Sequence, residues 1–200
     1  MTVTDSATTR TLAEAIWPVR SEISGPRAVI LATVGVGLLW LSGKLYIPVE
    51  PVPFTMQTFV VLTIGLAYGM RLGVATVVCY LVMGAIGLPV FAGTWSEGGG
   101  FAHLYGPTAG YLIGFAIAAW GCGVLAERGW DRSLPSAAAA MLIGNIVIYA
   151  CGVAWLAMLS DLSFAIEKGL LPFLLWDAVK IALGAVTLPL AWHLLGRRSR

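Results

Sequence analysis

An apolar run at residues 170–195 contains two opposite charges, Asp177 and Lys180. The run is long enough to cross a bilayer as a helix. Charged side chains are costly inside a membrane, so they usually face the protein interior or a water-filled cavity. Their i, i+3 spacing puts both on one face of a helix. Two interpretations follow: a mutually neutralised pair kept for packing, or a pair that faces a bound solute.

The rest of the chain is also strongly apolar. Of its 200 residues, 58% are hydrophobic and only 11% are charged, and the mean hydropathy is +0.87. A soluble domain carries about 25% charged residues. The composition therefore indicates an integral membrane protein, and the length suits one helical bundle without a separate soluble domain.

Apolar stretches of suitable length are separated by polar, glycine-rich or proline-rich segments. We therefore predict an all-α membrane protein, a single bundle of six transmembrane helices. The N-terminal tail would cover residues 1–26, and the transmembrane substrate-binding domain residues 27–200. The predicted spans are 28–46, 56–70, 72–88, 108–125, 137–159 and a last one that follows a polar loop at 160–172.

The positions of the arginines predict the orientation of the bundle. Six spans put both termini on one side of the membrane, and that side then carries every arginine of the chain. The other side keeps Lys44, near a span end, and Lys168. This bias agrees with the positive-inside rule, so we predict that both termini are cytoplasmic. The arginines are Arg10, Arg20, Arg27, Arg71, Arg128, Arg132, Arg197, Arg198 and Arg200.

Two loops on the predicted outer side carry candidate ligand contacts. The proline-rich segment 48–53 cannot be ordinary helix interior, and it leads into Gln57, whose amide faces a pocket or merely water. The loop 91–105 interleaves glycines with aromatic rings. We interpret it as a mobile lid in which Gly98 and Gly99 give backbone access and Trp95 gives apolar cover. The alternative is a disordered loop whose rings rest at the lipid interface.

Further polar and aromatic side chains complete a candidate site. Asn145 and Tyr149 lie one turn apart on the fifth predicted span, where the amide contacts either a neighbouring helix or a ligand. Lys180 could meet a carboxylate, and Asp177 and the carbonyl of Asn145 could accept N–H bonds. Aromatic rings, including Tyr111 and Tyr149, would cover an apolar body. This set suits capture of a small amphipathic molecule.

Other functions lack the motifs that they require. There is no Walker-type glycine-lysine loop, so any ATP-driven work needs a partner. We find no serine-elbow or zinc-helix motif and predict no catalytic residues, and the spans are too apolar for a channel. The cysteines and histidines lack metal-site spacing, so we predict neither a metal nor a cofactor on this chain, and no nucleic-acid partner.

Several motifs together resemble the BioY family, the biotin-specific S components of energy-coupling factor (ECF) transporters. They are PVPFTMQ at 51–57, GAIGLPVFAG at 84–93, GPTAGYLIGF at 106–115, and the Asp-x-x-Lys within FLLWDAVK at 173–180. The resemblance extends from about residue 28 to residue 195. The chain departs from the family pattern at Ala109, at Trp176 and in a longer, more aromatic loop at 94–103.

The resemblance implies a six-helix protein of the bacterial cytoplasmic (inner) membrane that captures biotin from outside. It implies a transmembrane T component and two ATPases as partners, which would use the ATP, although some family members are thought to act alone. Asp177 and Lys180 would contact the ligand, Ala28 and Ala32 would dock the T component, and the glycine-rich loop would close over biotin. The alternatives are an S component for thiamin or riboflavin, or a membrane enzyme acting on a lipid or vitamin precursor.

Overall fold

The computed structural model describes residues 11–17, 25–92 and 100–198. These ranges are mostly helical, as predicted. Short 3-10 helices at Phe101–Tyr105 and Leu171–Phe173 connect some of the longer elements. The α-helices are α1 (Leu12–Ile16), α2 (Gly25–Lys44), α3 (Gln57–Ala85), α4 (Ala109–Glu127), α5 (Leu134–Leu159), α6 (Leu162–Gly169) and α7 (Leu174–Arg198).

Within the described ranges, five helical segments are long and apolar enough to cross a membrane. A small antiparallel pair, β1 (Tyr46–Ile47) and β2 (Phe54–Thr55), is an addition to the predicted all-α bundle. It closes the ends of the proline-rich segment. The five segments are Gly25–Lys44, Gln57–Ala85, Ala109–Glu127, Leu134–Leu159 and Leu162–Leu195.

Helix α3 is interrupted at Gly69, which has φ 80° and ψ 178°. This backbone conformation favours glycine, since a side chain would be strained there. A Cβ added at Gly73 would lie 3.2 Å from the Cα of Gly65, so the two halves of α3 pack closely against each other. Gly123 of α4 packs on the backbone of Met70. The interruption lies next to Met70, where the second predicted span ends, and the third predicted span begins at Leu72.

The core lies between α3, α4 and α5. Tyr80, Ala119 and Ile148 contribute fully buried side chains from these three helices. Gly114 brings α4 close to α5, because a Cβ there would lie 2.9 Å from the Cα of Ile148. Small residues at helix contacts are typical of membrane bundles, where packing rather than water drives association. Helices α2 and α7 cover this core and expose many apolar side chains outward.

Helix α6 corrects the prediction of a polar loop at residues 160–172. Asp161 caps the helix, because its Oδ1 accepts the N–H of Phe164 at 2.9 Å. Ala165 and Gly169, one turn apart, are buried against the bundle. The segment was predicted to be a loop because it contains the charged residues Glu167 and Lys168. Both residues lie on the exposed face of this short amphipathic helix.

Candidate ligand-binding site

A cavity of about 720 Å³ lies at the end of the bundle where α3, α4 and α7 begin. It brings together five of the predicted site residues. The β1–β2 segment and the chain around Gly106 complete its wall. The five predicted residues that line it are Gln57, Tyr111, Tyr149, Asp177 and Lys180.

Asp177 joins α7 to α5 beside this cavity. Its side chain is only 3% exposed. The Oδ2 atom accepts a hydrogen bond from Asn145 Nδ2 at 3.2 Å and another from the hydroxyl of Tyr149. The Oδ1 atom accepts a bond from Lys180 Nζ at 2.8 Å. The buried carboxylate is therefore both hydrogen-bonded and charge-compensated, which reduces the cost of placing it in a membrane bundle.

Lys180 uses all three of its donors within the protein. Besides Asp177 Oδ1, its Nζ donates to the carbonyl of Thr55 at 2.8 Å and to Thr58 Oγ1 at 3.0 Å. An ammonium group has three N–H donors. The two side chains thus form an ion pair and also line the cavity, so both interpretations are compatible with this arrangement, and contact with a ligand stays a prediction.

The sequence did not identify Thr55 and Thr58 as partners of Lys180. Thr55 ends β2 and Thr58 lies in the first turn of α3, so the two are close together in the chain. This spacing was the available signal. It gave no information on which of the other helices faces them, because that depends on the packing of α3 against α7.

Gln57 and Asn145 are held by the protein in different ways. Gln57 Nε2 donates to the hydroxyl of Tyr80, which in turn donates to the carbonyl of Val90 at 2.9 Å. Gln57 therefore lines the cavity as a fixed group. Asn145 lies behind Asp177, and its Oδ1 is a buried acceptor that no described residue satisfies.

Aromatic rings form the apolar walls of the cavity. Tyr111 donates its hydroxyl to the carbonyl of Gly169 at 2.8 Å and meets Tyr149 edge-on at 6.2 Å between ring centroids. Phe91 and His103 stack at 5.0 Å, also in the wall. Both residues belong to the loop 91–105 that the sequence predicts to be a lid, and neither was predicted as an individual site residue.

Three predicted site residues, Trp95, Gly98 and Gly99, lie outside the described residues, so their roles stay predictions. Ala28 and Ala32 are half-buried on α2. Ala28 lines a second cavity at the opposite end of the bundle, together with residues near Gly69. In the part of the chain that the structure describes, no three His, Cys, Asp or Glu side chains group as metal ligands do.

The geometry suits a solute with both polar and apolar parts. The carboxylate and ammonium groups of Asp177 and Lys180 line the cavity together with aromatic rings and the proline-rich segment. Small-molecule sites commonly combine a largely apolar wall with a few convergent polar groups. The arrangement therefore matches the small amphipathic molecule that the residue types indicated.

Comparisons with known proteins identify the family of the chain. The model of the BioY family matches residues 11–197. A probable biotin transporter BioY from Pyrococcus horikoshii is 39% identical over 160 residues, which is 80% of this chain and 93% of that protein. The biotin transporter BioY from Thermotoga maritima is 37% identical over 161 residues, covering 80% and 92% of the two chains.

The fold also matches a solved structure. It resembles a crystal structure of the S-component for biotin from an ECF-type ABC transporter, with a TM-score of 0.69 and 24% sequence identity. The match covers 84% of this chain and 93% of the other. The resemblance noted from the motifs is confirmed by the family match and by the relatives. The chain belongs to the BioY family.

Proposed function

We propose that this chain binds biotin in the cavity beside Asp177 and Lys180 and takes part in its uptake across the membrane. The main support for the proposal is that a carboxylate, an ammonium group and aromatic rings line the same cavity. Biotin has a carboxylate, a ureido group with N–H donors and a carbonyl acceptor, and an apolar bicycle. Each of these groups has a chemical counterpart in the cavity.

Binding requires an exchange of hydrogen bonds at Lys180. Because its three donors are already used, an oxygen of the ligand must replace one of the present acceptors. The hydroxyl of Thr58 is the acceptor best suited to this, because its own bond to Asp177 Oδ1 is long, at 3.5 Å, and the hydroxyl can turn to donate to the incoming oxygen instead. The bond from Lys180 to Asp177 can then stay in place.

A binding measurement tests the proposal. The purified chain in detergent should bind biotin with one site in calorimetry, and thiamin and riboflavin should neither bind nor compete. Mass spectrometry of small molecules that copurify with the protein provides an independent check. Preferential binding of thiamin or riboflavin would show that biotin is not the substrate. It would leave the membership of the family unchanged.

The relatives bear on the alternative of a membrane enzyme. They are named as biotin transporters. The prediction that the chain is not an enzyme agrees with this family. Turnover of biotin or of a precursor by the purified chain would contradict it.

We propose that the chain crosses the membrane six times, with both halves of α3 as separate spans. Gln57 at the start of α3 lines the cavity, and Gly84 near its end contacts Phe91, which lines the same cavity. Met70 lies at the opposite end, beside Glu127. Both termini would then be cytoplasmic, in agreement with the arginine bias, and the cavity would face outward.

Single cysteines in a cysteine-free background test this topology. Glu50→Cys and Ser163→Cys should both react with an impermeant reagent outside whole cells, and Ser133→Cys should not. All three positions are exposed at bundle ends. If α3 crossed only once, positions 50 and 163 would lie on opposite sides of the membrane and only one of them would react.

We also propose that the chain works with a T component and two ATPases of an ECF module in the bacterial cytoplasmic membrane. The support is the half-buried pair Ala28 and Ala32, where a partner helix could approach closely. Ala28→Leu and Ala32→Leu should leave biotin binding intact and abolish ATP-driven transport. Thr33→Leu, on the exposed side of α2, is the matched control. An equal loss of ATP-driven transport in all three variants would contradict the docking role.

A further inference from the structure

A second cavity, of about 630 Å³, lies at the end of the bundle opposite to the proposed biotin site. It is enclosed by α1, the first turn of α2, the residues around Gly69 and the last turn of α4. Its wall contains two cations, Arg27 and Arg71, and two carboxylates, Glu14 and Glu127. Biotin binding gives this cavity no role, and of its wall residues only Ala28 belongs to the proposed docking pair on α2.

Arg27 is the group in this cavity that most needs a ligand. Its side chain is only 7% exposed. Its Nη2 donates to the carbonyl of Ala13 at 2.7 Å, which ties α1 to α2. Its Nε is buried, and none of the described residues accepts a hydrogen bond from it. A buried guanidinium donor without an acceptor is costly, and an anionic oxygen in the cavity would satisfy it.

The two carboxylates are held in place by backbone N–H groups. Glu14 Oε2 accepts from Thr11 at 2.9 Å in a capping box. Glu127 Oε1 accepts from Met70 at 2.9 Å. Each bond uses one oxygen, and the structure gives the other no partner among the described residues. The cavity therefore offers both cationic donors and anionic acceptors, which fits a ligand that carries both charges.

The position of the cavity favours a lipid. Helix α2 begins, α3 turns and α4 ends at this level, so the cavity lies where membrane spans meet the headgroup region. The apolar side chain of Leu31, half-buried on α2, forms part of the rim. An acyl chain leaving the cavity there would run along the exposed apolar side of α2.

We propose that this cavity binds the headgroup of a zwitterionic phospholipid that carries a primary ammonium group. Its phosphate accepts hydrogen bonds from Arg27 and Arg71. Its ammonium donates to Glu14 and Glu127. Phosphatidylethanolamine has both groups, phosphatidylcholine has a cation that cannot donate, and phosphatidylglycerol has no cation. The three lipids therefore form a matched series of probes.

Native mass spectrometry of the purified full chain with each lipid tests this. One phosphatidylethanolamine should be retained per chain, at least about tenfold more tightly than either other lipid. Arg27→Gln and Arg71→Gln should each weaken its retention about tenfold to a hundredfold, as loss of a charge-assisted bond does. Arg128→Gln is the matched control, because Arg128 is exposed at the same end and does not line the cavity.

Glu127→Gln tests the ammonium contact without removing the oxygen that accepts the Met70 N–H. It should reduce the preference for phosphatidylethanolamine over phosphatidylcholine, because Glu14 remains as the second acceptor, and leave retention of phosphatidylcholine unchanged. Arg27→Gln also removes the hydrogen bond between α2 and α1, and this loss could destabilise the protein. Its thermal unfolding is therefore compared with that of Arg71→Gln, whose side chain is exposed.

Three results would overturn the proposal. The first is equal retention of the three lipids. The second is a loss of phosphatidylethanolamine retention in Arg128→Gln as large as in the other two arginine variants. The third is an unchanged lipid preference in Glu127→Gln. Glycerophosphoethanolamine, which has the headgroup without acyl chains, distinguishes the source of the ligand. It should fail to displace the lipid at equal concentration. Full displacement would assign the cavity to a soluble zwitterion in place of a lipid.

Discussion

Two buried aspartates at opposite ends of the bundle have different surroundings. Asp177, beside the large cavity, accepts hydrogen bonds from Asn145, Tyr149 and Lys180. Asp131, in the connection between α4 and α5, is fully buried and accepts a bond at Oδ2 from Trp192 Nε1 at 2.5 Å. Its Oδ1 has no partner among the described residues.

The difference shows why burial of a charge does not by itself identify a site. At Asp177 an ammonium group compensates the charge, and both groups remain on the wall of a cavity. At Asp131 burial raises the pKa of the carboxyl group, although the Trp192 hydrogen bond and the nearby charge of Arg132 act in the opposite direction. Asp177 therefore combines a compensating ammonium group with a place on a cavity wall, whereas Asp131 makes one structural contact with α7.

Removing the partner of Asp177 should have the largest effect. Lys180→Met leaves a buried, uncompensated carboxylate, which typically costs about 3–5 kcal/mol. The double variant Asp177→Asn, Lys180→Met removes both charges with little change in shape, so its stability should return close to that of the wild type. Unfolding in mixed micelles measures both variants.

Biotin binding by the same double variant separates the two roles of the pair. If the pair serves the ligand, affinity should stay about tenfold to a hundredfold below wild type after stability has recovered. Calorimetry gives this value. Wild-type affinity in the folded double variant would show that the pair is purely structural.

Biotin amidated at its carboxylate tests which end of the ligand contacts Lys180. If the carboxylate does, the amide should bind the wild type poorly, and Lys180→Met should reduce its affinity little further.

Much of the fold could be predicted because membrane spans are coded locally. Long apolar runs and the spacing of Asp177 and Lys180 identify helices and one polar face without tertiary information. The break at Gly69 lies next to the predicted boundary between the spans 56–70 and 72–88, where Gly69 and Arg71 interrupt the apolar run. Helix α6 was missed because its stability depends on packing Ala165 and Gly169 against the bundle, which a short charged segment does not reveal.

The site was less predictable than the fold. Asp177, Lys180, Asn145 and Tyr149 could be recognised as polar or amphipathic groups in apolar spans, where such groups are rare. The contacts of Lys180 with Thr55 and Thr58 depend on how α3 packs against α7. Threonines are common near the start of helices, so the spacing of these two did not distinguish them as partners of Lys180.

Two tyrosine variants extend this comparison, and their expected effects on stability are intermediate in size. Tyr149 donates to the charged carboxylate of Asp177, and Tyr111 donates to the neutral carbonyl of Gly169. Hydrogen bonds to charged groups contribute about 1.5–3 kcal/mol and neutral ones about 1 kcal/mol. Tyr149→Phe should therefore destabilise the protein more than Tyr111→Phe in the same unfolding assay. The reverse order would mean that Asn145 and Lys180 satisfy Asp177 without the tyrosine.

The smallest effect is expected at Asp131, because the Trp192 bond and Arg132 partly offset the consequence of burial. A raised pKa in the folded state means that the folded protein holds this proton to higher pH than the unfolded chain does. The stability from Asp131 is therefore fully present below the unfolded pKa of about 3.9, and it decreases as the pH rises through the folded pKa.

Asp131→Asn removes this titration and keeps an oxygen that can accept the Trp192 N–H. The stability of wild type relative to the variant should therefore decline as the pH rises from the unfolded pKa through the folded pKa, and then become constant. Glu167→Gln, an exposed acid on α6, is the control and should give no such trend. A wild-type advantage that grows with pH would show that Trp192 and Arg132 stabilise the charged form of Asp131 more than burial opposes it. The two aspartates would then differ only in their access to the cavity.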